Sequence, residues 1–267
     1  MQIERPRDLD ELLAGLDSHP EATLLAGGTD LMVDVNLSHH RPETVVALRR
    51  VDDLATWDDG FIGAGVTYAR MEAGPHPALA QLARTVGSPQ IRATGTIGGN
   101  LGTASPAGDT LPFLAAVDAE VVVASRGDRR RLRWEDFLLG PKHTALRPGE
   151  VIVGVQLPER LPQRQAFAKI GVRQAMVIAT VNCCVVRDED GKTRVALGAV
   201  GPTVVRTPAA EELVSSQQQV SATMLDEFQR LVSDDVTPIT DHRATERYRR
   251  HAAGVLARRT LERCLIP

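Results

Sequence analysis

Two glycine-rich segments carry the residue types best suited to hold an anionic ligand. The first is Leu24-Leu25-Ala26-Gly27-Gly28-Thr29-Asp30-Leu31, and the second is Thr96-Ile97-Gly98-Gly99-Asn100-Leu101-Gly102-Thr103-Ala104-Ser105-Pro106. Glycine reaches positive φ without a Cβ penalty and lets a ligand come close to the backbone. Successive exposed N–H groups then make a concave, electropositive nest that suits phosphate. Neither segment follows the G-x-G-x-x-G dinucleotide pattern or the P-loop pattern. Taken singly, each reads as a turn. Taken together, with Asn100, Thr103, Ser105 and Asp109 alongside the second, they point to a ligand with two phosphates gripped from two sides.

The elements that must position these segments follow from the pattern. Asp8 to Glu11 predicts a capping box, and Leu9, Leu12, Leu13 and Leu16 then follow helical spacing. Thr23 to Ala26 predicts a short buried strand running into Gly27-Gly28, with a helix over 29–37 (Leu31 and Val35 on one face) and a strand over 44–48. Phe61 to Val66 predicts a β stretch, and Leu79, Leu82, Ala83 and Val86 predict a helix ahead of the second segment. Asp109 is placed to cap a helix through Val117. Strands are expected at 120–125 and 151–157, with Arg130 to Trp134 as a hairpin partner and a short helix at Trp134 to Phe137. Pro158 to Pro162 reads as a linker. Beyond it come three strands (166–170, 178–187, 194–200), the turn Asp188-Glu189-Asp190-Gly191, and helices near 208–216, 222–232 and 242–264, the last with Tyr248, Ala252 and Val255 on one face. The basic run Arg243 to Arg259 reads as a solvated helix face, with a partner surface as the alternative.

Composition narrows the function classes. The 267 residues carry a formal charge of −3, which gives no basic footprint for nucleic acid. No apolar run reaches the roughly 18 residues of a membrane helix. Glu4, Asp8, Asp10, Glu11 and Asp17 argue against a secretory leader, so the expected location is the cytoplasm. Cys183, Cys184 and Cys264 form no C-x-x-C pair, which leaves zinc and iron–sulfur sites unsupported; Cys183 and Cys184 read as strand residues. His39-His40 reads as surface, no metal site is expected, and no nucleophile–base grouping marks a catalytic residue. Aromatic residues make up only 3%, so the walls of a large planar ligand's site must be mostly small and aliphatic.

The motifs resemble a known family. Ala26 to Leu31 resembles the first flavin motif of the FAD-binding medium subunits of molybdenum hydroxylases, the xanthine dehydrogenase and carbon monoxide dehydrogenase family. Thr96 to Leu101, with Thr103 to Pro106 and Asp109, resembles the second motif. Phe167 to Arg173, Leu197 to Thr203 and Asp241-His242-Arg243 with Tyr248-Arg249 resemble three further stretches, in the family's order. The resemblance implies an α+β chain: a vanillyl-alcohol-oxidase-like (PCMH-type) FAD-binding domain of two subdomains at 1–160. A C-terminal α+β domain with a three-stranded antiparallel sheet and helices would follow at 163–267. It implies FAD contacts from Ala26, Gly27, Gly28, Thr29, Asp30, Leu31, Thr96, Gly98, Gly99 and Asn100. Thr103 and Ser105 offer hydroxyls, Asp109 stands ready to accept from sugar or ribityl hydroxyls (or only to cap its helix), and Lys169 aligns with a lysine near the cofactor, a solvated strand lysine being the alternative. Where xanthine dehydrogenases carry an aromatic residue about ten positions before the second motif, this chain has Val86, and Ala22-Thr23 replaces a frequent basic residue.

The function so implied is an electron relay. FAD would take electrons from an iron–sulfur small subunit, within a complex that also holds a molybdopterin large subunit, as a dimerised heterotrimer. It would pass them to NAD⁺ or another acceptor. A stand-alone FAD-dependent oxidoreductase acting on a small molecule is one alternative. A non-enzymatic nucleotide-binding module is another.

Overall fold

A computed structural model describes the chain apart from Ser38, His40, Asp59, Ser216, Gln218 and Pro267. At its N-terminal end, Thr44–Ala47 lies between Gln2–Glu4 and Thr23–Leu25 in a parallel sheet. Parallel neighbours need crossovers, and the helices Leu9–Ser18 and Leu31–Asn36 supply them. Asp8 caps the first, accepting from the Glu11 N–H at 2.8 Å, while Glu11 reaches back to the Arg7 N–H. Leu31–Asn36 is shorter than expected and buries no face: Leu31 and Val35 are half-buried, and Met32 and Val33 are exposed.

The second subdomain is an antiparallel sheet in the order Phe61–Gly63, Val151–Gln156, Glu120–Ser125, Asp128–Arg133, packed with the short helices that follow residue 68. The segment 96–103, expected as a loop, is a helix, Ile97–Thr103, capped by Thr96.

Beyond residue 163, Arg164–Ile170, Val181–Arg187 and Thr193–Gly198 form the expected antiparallel strands. A fourth strand, Val205–Arg206, extends the sheet; at two residues it leaves no alternation to read in sequence. The middle strand begins at Val181, so residues 171–180 form a loop. Val181–Arg187 is buried along its whole length because both its faces are covered. Phe167, Cys184, Val186 and Ala196 face the core of the first 160 residues. Their strand neighbours Ala166, Cys183, Val185, Val195 and Leu197 face the helices Ala222–Asp235 and Glu246–Leu265. The last helix overturns two expectations. Tyr248 is 49% exposed, and the buried face runs through Arg249, Ala252, Ala253, Leu256 and Ala257. Arg249 is 1% exposed, so the basic run is not wholly solvated.

Candidate functional site

A cleft of about 1390 Å³ opens between the two glycine-rich segments and the C-terminal sheet. It exceeds the roughly 300–1,000 Å³ of a drug-sized pocket and suits a longer ligand. All fourteen residues singled out in the sequence line it: Ala26, Gly27, Gly28, Thr29, Asp30, Leu31, Thr96, Gly98, Gly99, Asn100, Thr103, Ser105, Asp109 and Lys169.

The two segments do different work. In the first, Gly28 sits at φ +73°, where a side chain would be strained. Among the described residues, the N–H groups of Gly27, Gly28, Thr29 and Asp30 donate to no protein acceptor. This is a nest of the kind the sequence predicts. A Cβ on Gly27 would lie 1.9 Å from the Thr94 carbonyl oxygen, so Gly27 lets the loop press on the backbone leading into the second segment.

The second segment departs from the nest expectation. Ile97 N–H donates to Val66 O, Gly98 N–H to Ala64 O, Gly99 N–H to Thr96 Oγ1 at 3.0 Å, and Asn100 N–H to Thr96 O. Two of these donors are taken by the 64–66 backbone and two by Thr96 within the turn, so this side meets a ligand through side chains and a thin wall at Gly99 and Gly102. Some of these side chains are already engaged. Thr103 Oγ1 donates to Asp30 Oδ2 at 3.1 Å and ties the two segments together, Thr110 Oγ1 donates to Asn100 Oδ1, and Ser105 Oγ accepts from the Ala107 N–H.

Asp109 begins the helix Thr110–Ala116, but its side chain does not cap it. Its Oδ2 lies 2.5 Å from Lys169 Nζ, and its Oδ1 accepts from Asn182 Nδ2 at 2.7 Å. Both ends of the ion pair are under a tenth exposed, which corrects the solvated reading of Lys169. Burial pushes the Asp109 carboxyl up, against the pull of the Lys169 ammonium and the Asn182 amide. Burial, with the Asp109 charge nearby, also pushes the Tyr68 phenol far above its ordinary value and keeps it neutral.

Sequence reasoning missed Asn182, Tyr68 and Lys142. Asn182 had a signal, a lone amide inside the apolar run Val181 to Val186, which must find a partner. Tyr68 and Lys142 carried none. The three cysteines are buried, and burial raises each thiol, Cys264 to about 11. Among the described residues, no group of three His, Cys, Asp or Glu side chains is placed to hold a metal, and no helix is long and apolar enough to cross a membrane. His39 is exposed; His40 lies outside the described residues.

Comparison with known proteins assigns this geometry. Residues 1–160 match the family model of the FAD binding domain in molybdopterin dehydrogenase, and residues 166–264 match that of the CO dehydrogenase flavoprotein C-terminal domain. The chain belongs to this flavoprotein family. It is an FAD-binding subunit of the molybdenum hydroxylase type, an oxidoreductase component. It is 26% identical to a xanthine dehydrogenase FAD-binding subunit of Escherichia coli O157:H7, over 96% of this chain and 93% of that one. It is 29% identical to the carbon monoxide dehydrogenase medium chain of Hydrogenophaga pseudoflava, over 77% and 76%. Among solved structures, a carbon monoxide dehydrogenase from Hydrogenophaga pseudoflava superposes with a TM-score of 0.91 at 27% identity, covering 99% of this chain and 96% of the other. Quinoline 2-oxidoreductase from Pseudomonas putida 86 shares the fold, with a TM-score of 0.91 at 24% identity and coverage of 99% and 96%.

The flavoprotein cleft fits FAD on its own terms. Four unpartnered N–H groups suit a diphosphate. Val86, Ile91, Met176, Val177 and Ile178 give the cleft an apolar stretch suited to a ring system.

Proposed function

We propose that this chain relays electrons through FAD, from an iron–sulfur small subunit to NAD⁺ or another acceptor, within a heterotrimer completed by a molybdopterin large subunit. The observation that carries the reading is the row of free N–H groups from Gly27 to Asp30 at the edge of the cleft. Bound FAD supplies the redox chemistry, and the protein supplies binding, orientation and electrostatics. Gly27, Gly28, Thr29 and Asp30 hold the diphosphate by backbone donors, with Ala26 and Leu31 flanking them. Thr96, Gly98, Gly99, Asn100, Thr103 and Ser105 form the facing wall. Asp109 and Lys169 would present their ion pair to the cofactor from the cleft lining. Neutral, buried Tyr68 lines the cleft beside Asp109.

The same reading divides the chain into an FAD-binding domain, residues 1–160, and a C-terminal domain, residues 163–267. Two hydrophobic cores, meeting across the sheet that begins at Arg164, support this division.

Purified protein is expected to be yellow, with one FAD per chain released by acid or heat, since among the described residues no His or Cys lines the cleft for attachment. Flavin retained by the denatured chain would reject non-covalent binding. A colourless protein that takes up no FAD would reject the function.

A further inference from the structure

Three consecutive carbonyls in one wall of the cleft are held by cationic side chains. The helix Pro77–Thr85 ends at the turn Thr85-Val86-Gly87-Ser88, and the helix Pro89–Thr94 follows at once. Val86, Gly87, Ser88 and Ile91 all line the cleft. A helix C-terminus leaves carbonyls that need donors. Thr85 O accepts from Lys169 Nζ at 3.3 Å, and Val86 O and Gly87 O both accept from Arg92 Nη1 at 3.3 Å. Arg92 is in turn fixed through Nε, which donates to Glu72 Oε2 at 3.0 Å. Glu72 takes its second bond from the exposed Arg84.

Gly87 gives this turn no side chain of its own to fix it, and none would fit. Gly87 lies at φ +48°, and a Cβ there would come within 2.6 Å of Ile91 Cγ2. Arg92 and Glu72 are themselves outside the cleft lining. Charged donors on a helix C-terminus are favourable, and a planar guanidinium can serve two carbonyls and a carboxylate at once, which an ammonium cannot do in this geometry.

We infer that Arg92, held by Glu72, is a positioning residue that fixes the Val86–Ser88 turn as the apolar wall against which the flavin ring system packs. The inference rests on the cofactor reading above and adds to it the device that sets the ring's surroundings. The wall is built from the short side chains of Val86 and Ser88 and the bare backbone of Gly87, so its position depends on the backbone of the turn.

The test titrates the full-length apoprotein with FAD and follows the quenching of flavin fluorescence and the shape of the bound flavin's visible bands. Arg92→Gln and Glu72→Gln are each expected to weaken FAD binding by about tenfold, the equivalent of one good charged hydrogen bond. Both should also blur the band structure that reports an ordered apolar wall, with thermal midpoints close to wild type. Arg84→Gln touches the same Glu72 but not the turn, and should bind as wild type. Arg92→Lys should recover only part of the loss. Wild-type affinity and spectrum in both Arg92→Gln and Glu72→Gln would overturn the inference, as would an equal effect of Arg84→Gln. If Arg92→Gln does not fold, Glu72→Gln decides, because Glu72 contacts neither the turn nor the cleft. Wild-type protein that takes up no FAD would instead overturn the cofactor reading, and this inference with it.

Discussion

Gly28 and Gly99 occupy equivalent places in the two motifs yet answer to different constraints. Gly28 is bound by its backbone: φ +73° at the centre of four unpartnered N–H groups. A β-branched residue there costs of the order of 1–3 kcal/mol in strain and turns the donors away from the cleft. Gly28→Val is therefore expected to give a folded chain with little bound flavin, read as the ratio of flavin to protein absorbance. Full occupancy in that variant would reduce Gly28 to a turn residue. Gly99 is bound by space, since a Cβ would meet Thr96 Oγ1 at 3.1 Å and press on the cap of its own helix. The sequence made the two motifs look alike because both show an apolar residue, a glycine pair and then a polar residue (Thr29, Asn100). Only the hydrogen bonds reveal that the second has its donors already taken, by Ala64 O, Val66 O and its own Thr96. The partnership of Asp109 with Lys169 and Asn182 was illegible for a related reason: its members are 60 and 73 residues apart, and no local pattern encodes a contact made by packing two cores together.

At the scale of elements, the strands from Glu120 to Ser125 and from Val151 to Gln156 stood out in the sequence because they are apolar runs bounded by clear turns. The last helix was found, but its face was misread. The sequence offers Tyr248 as an apolar anchor, and the fold buries Arg249 beside it. What makes that burial tolerable lies outside the helix: Arg249 donates to Thr180 O, Ala199 O and Asp241 Oδ1, and Arg243 binds Asp241 and Ala179 O. Together they anchor the end of the 171–180 loop, whose Met176 to Ile178 line the cleft. Burial works to raise the Asp241 carboxyl, but the bonds from Arg243 and Arg249 outweigh it and hold the group well below the ordinary value of about 3.9. A group depressed in the folded state stabilises the fold above its unfolded value and loses that contribution as pH falls through its folded one. The wild-type thermal midpoint should therefore drop as the pH falls below about 4. Asp241→Asn should be less stable near neutrality by roughly 3 kcal/mol, because it strands a buried guanidinium, and should show a shallower decline in acid. Parallel pH profiles for the two proteins would show that Asp241 is not the linked group.

For the whole molecule, the decisive question is how electrons reach the cofactor. The chain has three cysteines, all buried within the C-terminal domain with raised thiols, which leaves no set of thiolates for a cluster of its own. Its cleft is framed by a diphosphate nest and an apolar wall, and the charged pair Asp109–Lys169 is consumed by mutual bonding rather than poised for proton transfer from a substrate. Exposed apolar side chains belong to the cleft lining: Met176 and Ile178 on the loop between the first two strands of the C-terminal sheet, and Ile91 on the helix Pro89–Thr94. These exposed side chains leave part of the cleft lining open to solvent, as a relay needs and a closed oxidase pocket does not. Copurification from the native host is therefore expected to bring down a two-cluster iron–sulfur chain and a large molybdenum chain in equal proportion. In the assembled complex, substrate should bleach the flavin. The isolated chain should leave a purine or aldehyde unoxidised while still exchanging electrons with NADH or another soluble donor. Robust turnover of such a substrate by the metal-free single chain would mean that hydride reaches the flavin directly, and would return the protein to the stand-alone oxidoreductases.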